Sequence, residues 1–177
     1  MNAPPRFPIW LPIAALLFAA AHLAFEHFNG GVQSHHLLQR ADMPSISNWL
    51  GLALLPLLGV VLGLRLRAQP KSAGPAGIPR TILVAFAVAL LYGAALAVSF
   101  ELGPNAFTSA AFFGLFVCAL AFPVYRAEYV LGFVVGMTFT FGAVIPLLVA
   151  LVVGTVSLVA RYGFRAVARV VRGRRVP

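Results

Sequence analysis

Residues 81–100, TILVAFAVALLYGAALAVSF, carry no charged side chain and are long enough to cross a bilayer as one helix. Four other apolar stretches alternate with short segments that hold most of the charge: residues 9–28, 49–66, 107–124 and 129–160. Of the 177 residues, 61% are hydrophobic and 10% are charged, against about a quarter charged in soluble domains. The sequence therefore predicts an all-α fold, a polytopic transmembrane helical bundle forming a single integral membrane domain over residues 1–177.

The last apolar stretch, residues 129–160, fits neither one span nor two. As a single helix it would be about 48 Å long at 1.5 Å per residue, whereas the hydrocarbon core is about 30 Å thick. Two full spans would need about 40 residues and a turn. Gly142 and Pro146 lie near its middle and disfavour a continuous helix. We therefore expect five to six membrane segments, the last one either continuous and tilted or broken or re-entrant at Gly142–Pro146.

The basic residues favour the broken alternative. The second loop is rich in them, and the C-terminal tail at 161–177 holds six arginines. Positive charge collects on the cytoplasmic side of membrane proteins, and only a hairpin in residues 129–160 puts loop and tail on one side. The sequence thus predicts a bacterial inner-membrane protein with its N-terminus and its basic tail in the cytoplasm. The net charge of +9 indicates contact with membrane lipids and no nucleic acid, because the basic residues flank apolar spans.

All four histidines fall within fifteen residues, and Glu26 lies among them: His22, His27, His35 and His36. The predicted topology places this histidine cluster on the outer side, together with Glu101 at the end of the third span. His22 and Glu26 are four residues apart, so they share one face of the first helix. The flexible backbone of Gly30 and Gly31 allows the chain to fold back over that helix end.

Imidazole and carboxylate groups together suit Zn or another divalent transition metal. The predicted metal ligands are His22, Glu26, His35 and His36, while His27 points about 100° away from Glu26 on the helix. The predicted catalytic groups are Glu26, as ligand or general base, and Glu101, as an acid or supporting group. A hydrogen-bonded cluster without a metal is the structural alternative.

Residues 39–49, QRADMPSISNW, are too varied for a flexible linker and predict an ordered cap or a lid over the histidines. Ser47 or Asn48 is expected to cap the second span, and Arg40 to pair with Asp42. Gly132 and Gly136 have a spacing suited to close helix packing, within the chain or in a homo-oligomer. Cys118 is the single cysteine, so the chain forms no intramolecular disulfide.

Three functions are compatible with these features. The first is a metal-binding membrane enzyme, with metal-assisted hydrolysis of a lipid-like substrate, or a metal-handling protein. The alternative is a proton- or cation-coupled transporter or channel, with His22 and Glu26 in its path and the broken last helix beside it. The third is an accessory subunit of a membrane complex.

Overall fold

The computed structural model describes residues 7–36, 40, 42–69, 78–103 and 106–173. Within them the chain forms six helices: α1 (Trp10–Phe28), α2 (Gly51–Arg67), α3 (Arg80–Glu101), α4 (Ala106–Ala121), α5 (Ala127–Phe141) and α6 (Val144–Gly173). Two short strands, β1 (Ser34–His36) and β2 (Ser45–Ser47), lie between α1 and α2, and a 3-10 turn at Asn48–Leu50 leads into α2. The predicted all-α bundle is confirmed.

Four of the helices in the described part of the chain are long and apolar enough to cross a membrane: Trp10–Phe28, Asn48–Arg67, Arg80–Glu101 and Val144–Ala166. Helices α4 and α5 are apolar but shorter, with 16 and 15 residues. At about 1.5 Å per residue they are only about 22–24 Å long, less than the hydrocarbon core. The fold is that of an integral membrane protein, and the number of full crossings stays a prediction.

The long apolar stretch at 129–160 is broken, as Gly142 and Pro146 indicate. Helix α5 ends before Gly142, which has φ of +64°, a conformation that side-chain-bearing residues rarely adopt. Helix α6 begins at Val144, so Pro146 falls in its first turn, where the missing N–H breaks no helical hydrogen bond. The basic segment predicted as a tail at 161–177 is a continuation of α6 as far as Gly173.

Helices α1 and α2 run antiparallel in close contact. A side chain at Gly59 would strike the backbone of Pro12, and one at Gly63 would strike the ring of Phe7. The missing Cβ atoms let the two helices approach closely, as small residues do in membrane bundles. The N-terminal end of α1 therefore lies beside the C-terminal end of α2.

Helices α3 and α5 run parallel, with α4 as the connection between them. A Cβ on Gly132 would collide with the carbonyl oxygen of Phe86, and one on Gly136 with that of Leu90. The two glycines thus pack α5 onto α3 within the chain. A homo-oligomer through Gly132 and Gly136 stays a prediction, but the faces of both glycines are already occupied.

Helix α6 returns along the bundle. Ser157 Oγ donates a hydrogen bond of 2.8 Å to the carbonyl of Phe122, and Arg161 donates one of 3.0 Å to the carbonyl of Ala121. These contacts lie just before the start of α5, whereas α6 begins where α5 ends. Helices α5 and α6 are therefore antiparallel. The hairpin predicted from the charges is therefore the arrangement observed.

Four described arginines mark one end of the bundle, which we call the arginine end: Arg65, Arg80, Arg126 and Arg161. The opposite end, with His22 and His35, is the histidine end. Four basic residues of the N-terminus, the second loop and the tail lie outside the described residues: Arg6, Lys71, Arg174 and Arg175. The cytoplasmic location of the arginine end and the choice of a bacterial inner membrane stay predictions.

Helix α5 lies at the centre of the packing. Its Val134 is fully buried in a cluster with α1, α2 and α3, which includes Leu55. Its Phe133 and Met137 are buried in a second cluster with α3, α4 and α6, which includes Leu96. Burying such side chains stabilises each contact by about 1.5–3 kcal/mol in water, whereas between membrane helices close packing contributes most. Helix α5 therefore joins the α1–α2 pair on one side to α4 and α6 on the other.

Candidate functional site

One face of α1 is turned into the bundle and ends in two ionisable side chains. Its buried residues recur at helical spacing: Ala15, Ala19, His22, Leu23 and Glu26. His22 is 3% exposed and Glu26 is 7% exposed. Such burial of ionisable groups within a membrane helix is costly and typically marks a functional position.

The chain folds back over the end of α1, as the two glycines predict. Gly30 and Gly31 have φ of +117° and +100°, and the N–H of Gly31 donates to the Glu26 carbonyl at 3.0 Å. This turn brings the N–H of Gln33 to the Glu26 carboxylate, with a distance of 3.3 Å to Oε2. The backbone thus orients one carboxylate oxygen.

A short antiparallel hairpin covers this end of the bundle. Strands β1 and β2 pair so that His35 lies opposite Ile46, and the N–H of Asn48 donates to the Gln33 carbonyl at 3.1 Å. Neighbouring residues of a strand point to opposite faces. His35 is therefore half-buried towards α1, whereas His36 is exposed and its Nδ1 donates to the Met43 carbonyl at 2.8 Å.

Asn48 connects the hairpin to the buried carboxylate. Its side chain is 4% exposed, and its Nδ2 donates to Glu26 Oε1 at 2.5 Å. The same nitrogen lies 3.4 Å from His35 Nε2. Asn48 therefore holds Glu26 and His35 in one hydrogen-bonded group. We call this group, with His22 and Gln33 added to it, the histidine–carboxylate cluster.

His22 lies at the inner edge of this cluster. Its Nε2 is 3.5 Å from Glu26 Oε1 and has no hydrogen-bond partner among the described residues. On its other side the ring meets Phe139 of α5 edge-on, with ring centroids 4.9 Å apart. The imidazole nitrogen thus faces the carboxylate at slightly more than hydrogen-bond distance.

The α5–α6 break lies directly against the cluster. The Cα of Gly142 is so close to Asn48 Oδ1 that any Cβ there would collide with that oxygen. Gly142 is therefore required both for its backbone conformation and for the space it leaves. The same contact links the hydrogen bonding of Glu26 to the position where the last two helices separate.

The electrostatic setting of His35 is mixed. Partial burial lowers the pKa of His35 below its ordinary value of 6.5, because the charged imidazolium loses water, and the negative charges of Glu26 and Glu101 oppose this shift. Glu101 is exposed at the end of α3, and no hydrogen bond or ion pair of its carboxylate is seen among the described residues. It acts on the cluster through its charge, and its catalytic role stays a prediction.

The structure brings together three of the four predicted metal ligands, His22, Glu26 and His35, and leaves His36 on the outer face. His27 is exposed and packs edge-on against Phe28, away from the cluster as expected. Within the described residues, no set of three or more His, Cys, Asp or Glu side chains is placed to hold a metal ion. The amide nitrogen of Asn48 occupies the space between Glu26 and His35. Metal ligation here stays a prediction.

Asn48 and Gln33 belong to the cluster and Phe139 packs against it, but none of the three was found as a site residue from the sequence. Ser47 or Asn48 was expected to cap the second span. Ser47 caps the 3-10 turn that leads into α2, its Oγ accepting from the N–H of Trp49 at 3.4 Å, whereas α2 itself has no side-chain cap. The pairing of Arg40 with Asp42 is confirmed, at 2.8 Å on the surface. A polar residue just before an apolar span is the one signal that pointed to Asn48.

Chemically, the cluster offers a carboxylate oriented by two hydrogen bonds, a buried imidazole with a free nitrogen and a second imidazole nearer the surface. Histidine is the side-chain type whose ordinary titration lies near neutral pH, so the cluster contains groups suited to binding protons. Compared with known proteins, the sequence matches no family model, and it is significantly similar to no curated protein and to no solved structure.

Proposed function

We propose that this protein binds and transfers protons at the His22–Glu26 pair as part of a proton-coupled transport or channel activity. The observation that carries the proposal is the Nε2 of His22, which is buried in a membrane helix 3.5 Å from Glu26 Oε1 and has no hydrogen-bond partner in the described part of the chain. Buried histidines and carboxylates in membrane helices commonly serve as proton relays.

The order of the groups supports a route. His35 is the most exposed of the three ionisable groups, Glu26 lies next, and His22 is the deepest. Proton transfer from His35 to Glu26 needs a bridging water molecule, because the Asn48 amide lies between the two groups. A proton that reaches the Glu26 carboxylate passes to His22 Nε2, which has no hydrogen-bond partner among the described residues. The distance of 3.5 Å is only a few tenths of an ångström beyond the ~2.6–3.2 Å at which direct transfer occurs.

The contact between Asn48 and Gly142 supports coupling of this proton to a conformational change. Protonation of Glu26 changes what its oxygens can accept, and therefore changes the bond from Asn48. Asn48 in turn touches the α5–α6 break. Interrupted helices of this kind move or bind ions in transporters.

A second candidate is the metal-dependent membrane enzyme acting on a lipid-like substrate. It is favoured by the convergence of His22, Glu26 and His35, whose atoms lie within 3.5 Å of one another or of the Asn48 amide. For a metal to bind, the Asn48 amide must turn away or present its oxygen. Zinc with three such ligands would activate a water molecule for hydrolysis.

The test is proton flux in liposomes that contain the purified protein and a pH-sensitive dye. With an imposed pH gradient, the wild-type protein should pass protons, and His22→Gln and Glu26→Gln should reduce the flux to that of empty liposomes. His27→Gln is the matched control, because His27 is an exposed histidine on the same helix. Flux that is equal in all variants contradicts the proposal. Stoichiometric zinc, lost in His22→Gln and His35→Gln, supports the enzyme instead.

A further inference from the structure

A large apolar cavity extends from the arginine end to the middle of α3, and no residue of the histidine–carboxylate cluster lines it. Its volume is about 620 Å³, and helices α3, α4, α5 and α6 all contribute to its wall. Aliphatic and aromatic side chains dominate that wall, among them Val84, Val88, Leu115, Phe133 and Val153. The volume is within the range of ligand sites for amphiphilic molecules.

The cavity opens towards the bilayer. Helix α3 packs mainly on α5 and makes far fewer contacts with α4. Val84 and Val88 line the cavity although they are 61% and 56% exposed, so its mouth faces the surroundings of the bundle. In a membrane those surroundings are acyl chains. The apolar cavity therefore fits a hydrocarbon chain.

A polar pocket of about 180 Å³ adjoins this cavity, since Thr81, Ala85 and Tyr129 line both. Its polar wall includes Arg65, Arg126 and Gln69 together with Glu128. Glu128 is 2% exposed and forms an ion pair with Arg65 at 3.0 Å, although the two atoms lack hydrogen-bond geometry.

The charge of this pocket is unbalanced. Glu128 neutralises Arg65, but among the described residues no acidic group pairs with Arg126 or with Arg80, which lines the cavity. Guanidinium groups recognise phosphate through bidentate hydrogen bonds. Two uncompensated arginines beside an apolar cavity complement a molecule with a phosphate at one end and an acyl chain at the other.

We propose that the two pockets together bind one anionic phospholipid, with its phosphate at Arg126 and Arg80 and an acyl chain in the apolar cavity. The dimensions agree. The α3 wall of the cavity runs from Arg80 to Tyr92, about 18 Å at 1.5 Å per residue. One leaflet of the hydrocarbon core is about 15 Å deep. The site does not depend on the proton-transfer proposal, because no cluster residue lines it.

The test is native mass spectrometry of the delipidated protein titrated with phosphatidylglycerol or phosphatidylcholine of the same chain length. We expect one phosphatidylglycerol to be retained, and phosphatidylcholine to be bound about tenfold or more weakly because its net charge is zero. Arg126→Gln should weaken phosphatidylglycerol binding by a similar factor. Arg67→Gln, at an exposed arginine of the same end outside both pockets, should leave it unchanged.

A second pair of variants tests the acyl chain. Val88→Trp fills the mouth of the cavity and should abolish retention of phosphatidylglycerol. Val98 is on the same helix with a similar exposure of 58% but lies outside the cavity, so Val98→Trp should leave retention unchanged. His22→Gln should bind lipid as the wild type does, which separates this site from the proton pathway. Equal retention of both lipids, equal effects of the paired variants, or displacement of the lipid by inorganic phosphate alone would each overturn the proposal.

Discussion

Replacing Gly142 by alanine should disrupt the histidine–carboxylate cluster, although Gly142 is far from the cluster residues in the sequence. The substitution has two separate effects. Gly142 has φ of +64° and ψ of −172°, a region that is essentially restricted to glycine. In addition, the new Cβ collides with Asn48 Oδ1.

The magnitude follows from the two effects. Holding alanine in this conformation destabilises the fold by about 1–3 kcal/mol. Displacing Asn48 breaks its 2.5 Å bond to Glu26, and a hydrogen bond to a carboxylate contributes about 1.5–3 kcal/mol. We therefore expect Gly142→Ala to lower the free energy of unfolding by about 2.5–6 kcal/mol.

Unfolding in mixed micelles, titrated with SDS and followed by circular dichroism, measures this change. Gly103→Ala is the control, because Gly103 has φ of +94° but a Cβ there would meet no atom of the described residues within 4 Å. It should lower the unfolding free energy by only about 1–3 kcal/mol.

A double-mutant cycle separates the collision from the strain. In the Asn48→Ala background the collision is absent, so Gly142→Ala should lower the unfolding free energy only by the strain of about 1–3 kcal/mol. The two substitutions should then be non-additive by about 1.5–3 kcal/mol. Additivity to within about 0.5 kcal/mol would refute the contact between Gly142 and Asn48 as the cause.

Two further predictions concern charged groups. Glu128→Gln leaves Arg65, which is 26% exposed, without its charged partner. It should destabilise the protein by about 2–3 kcal/mol, somewhat less than the ~3–5 kcal/mol for breaking a fully buried pair. Asp42→Asn is the control, because both side chains of the Arg40–Asp42 pair are more than 60% exposed, and it should change stability by less than about 1 kcal/mol in the same unfolding titration. Because the pKa of His35 is lowered in the folded protein, the unfolded chain binds more protons below pH 6.5, so wild-type stability should fall as the pH drops through 6.5. Stability measured from pH 7.5 to 5 should show a smaller fall in His35→Gln, and identical slopes would contradict the assignment.

The long helices could be predicted from the sequence because the thickness of the bilayer sets their length. The stretch at 81–100 corresponds to α3 within one residue at each end, since its apolar run stops at Arg80 and Glu101. The break at Gly142 was also visible, because 32 apolar residues fit neither one span nor two. These inferences need only local composition and a fixed membrane thickness.

The cluster could be predicted only in part, because its contacts join residues that are distant in the sequence. His22 and Glu26 were found from helical spacing, which is a local property. Asn48 is 22 residues from Glu26, and its inward orientation depends on a hairpin too short to give a strand pattern. Without β1, nothing in the sequence distinguished His35 from His36. The ion pair of Arg65 with Glu128 was missed for the same reason.

The parallel packing of α3 and α5 has a further electrostatic consequence. The peptide dipoles of a helix add up to roughly half a positive charge at its N-terminus. Because α3 and α5 both begin at the arginine end, their N-termini together supply about one positive charge beside the polar pocket. This field stabilises the carboxylate of Glu128 in the first turn of α5, and it attracts any anion that approaches between the two helices. Reversing the direction of α5 would cancel it with the same side chains in place.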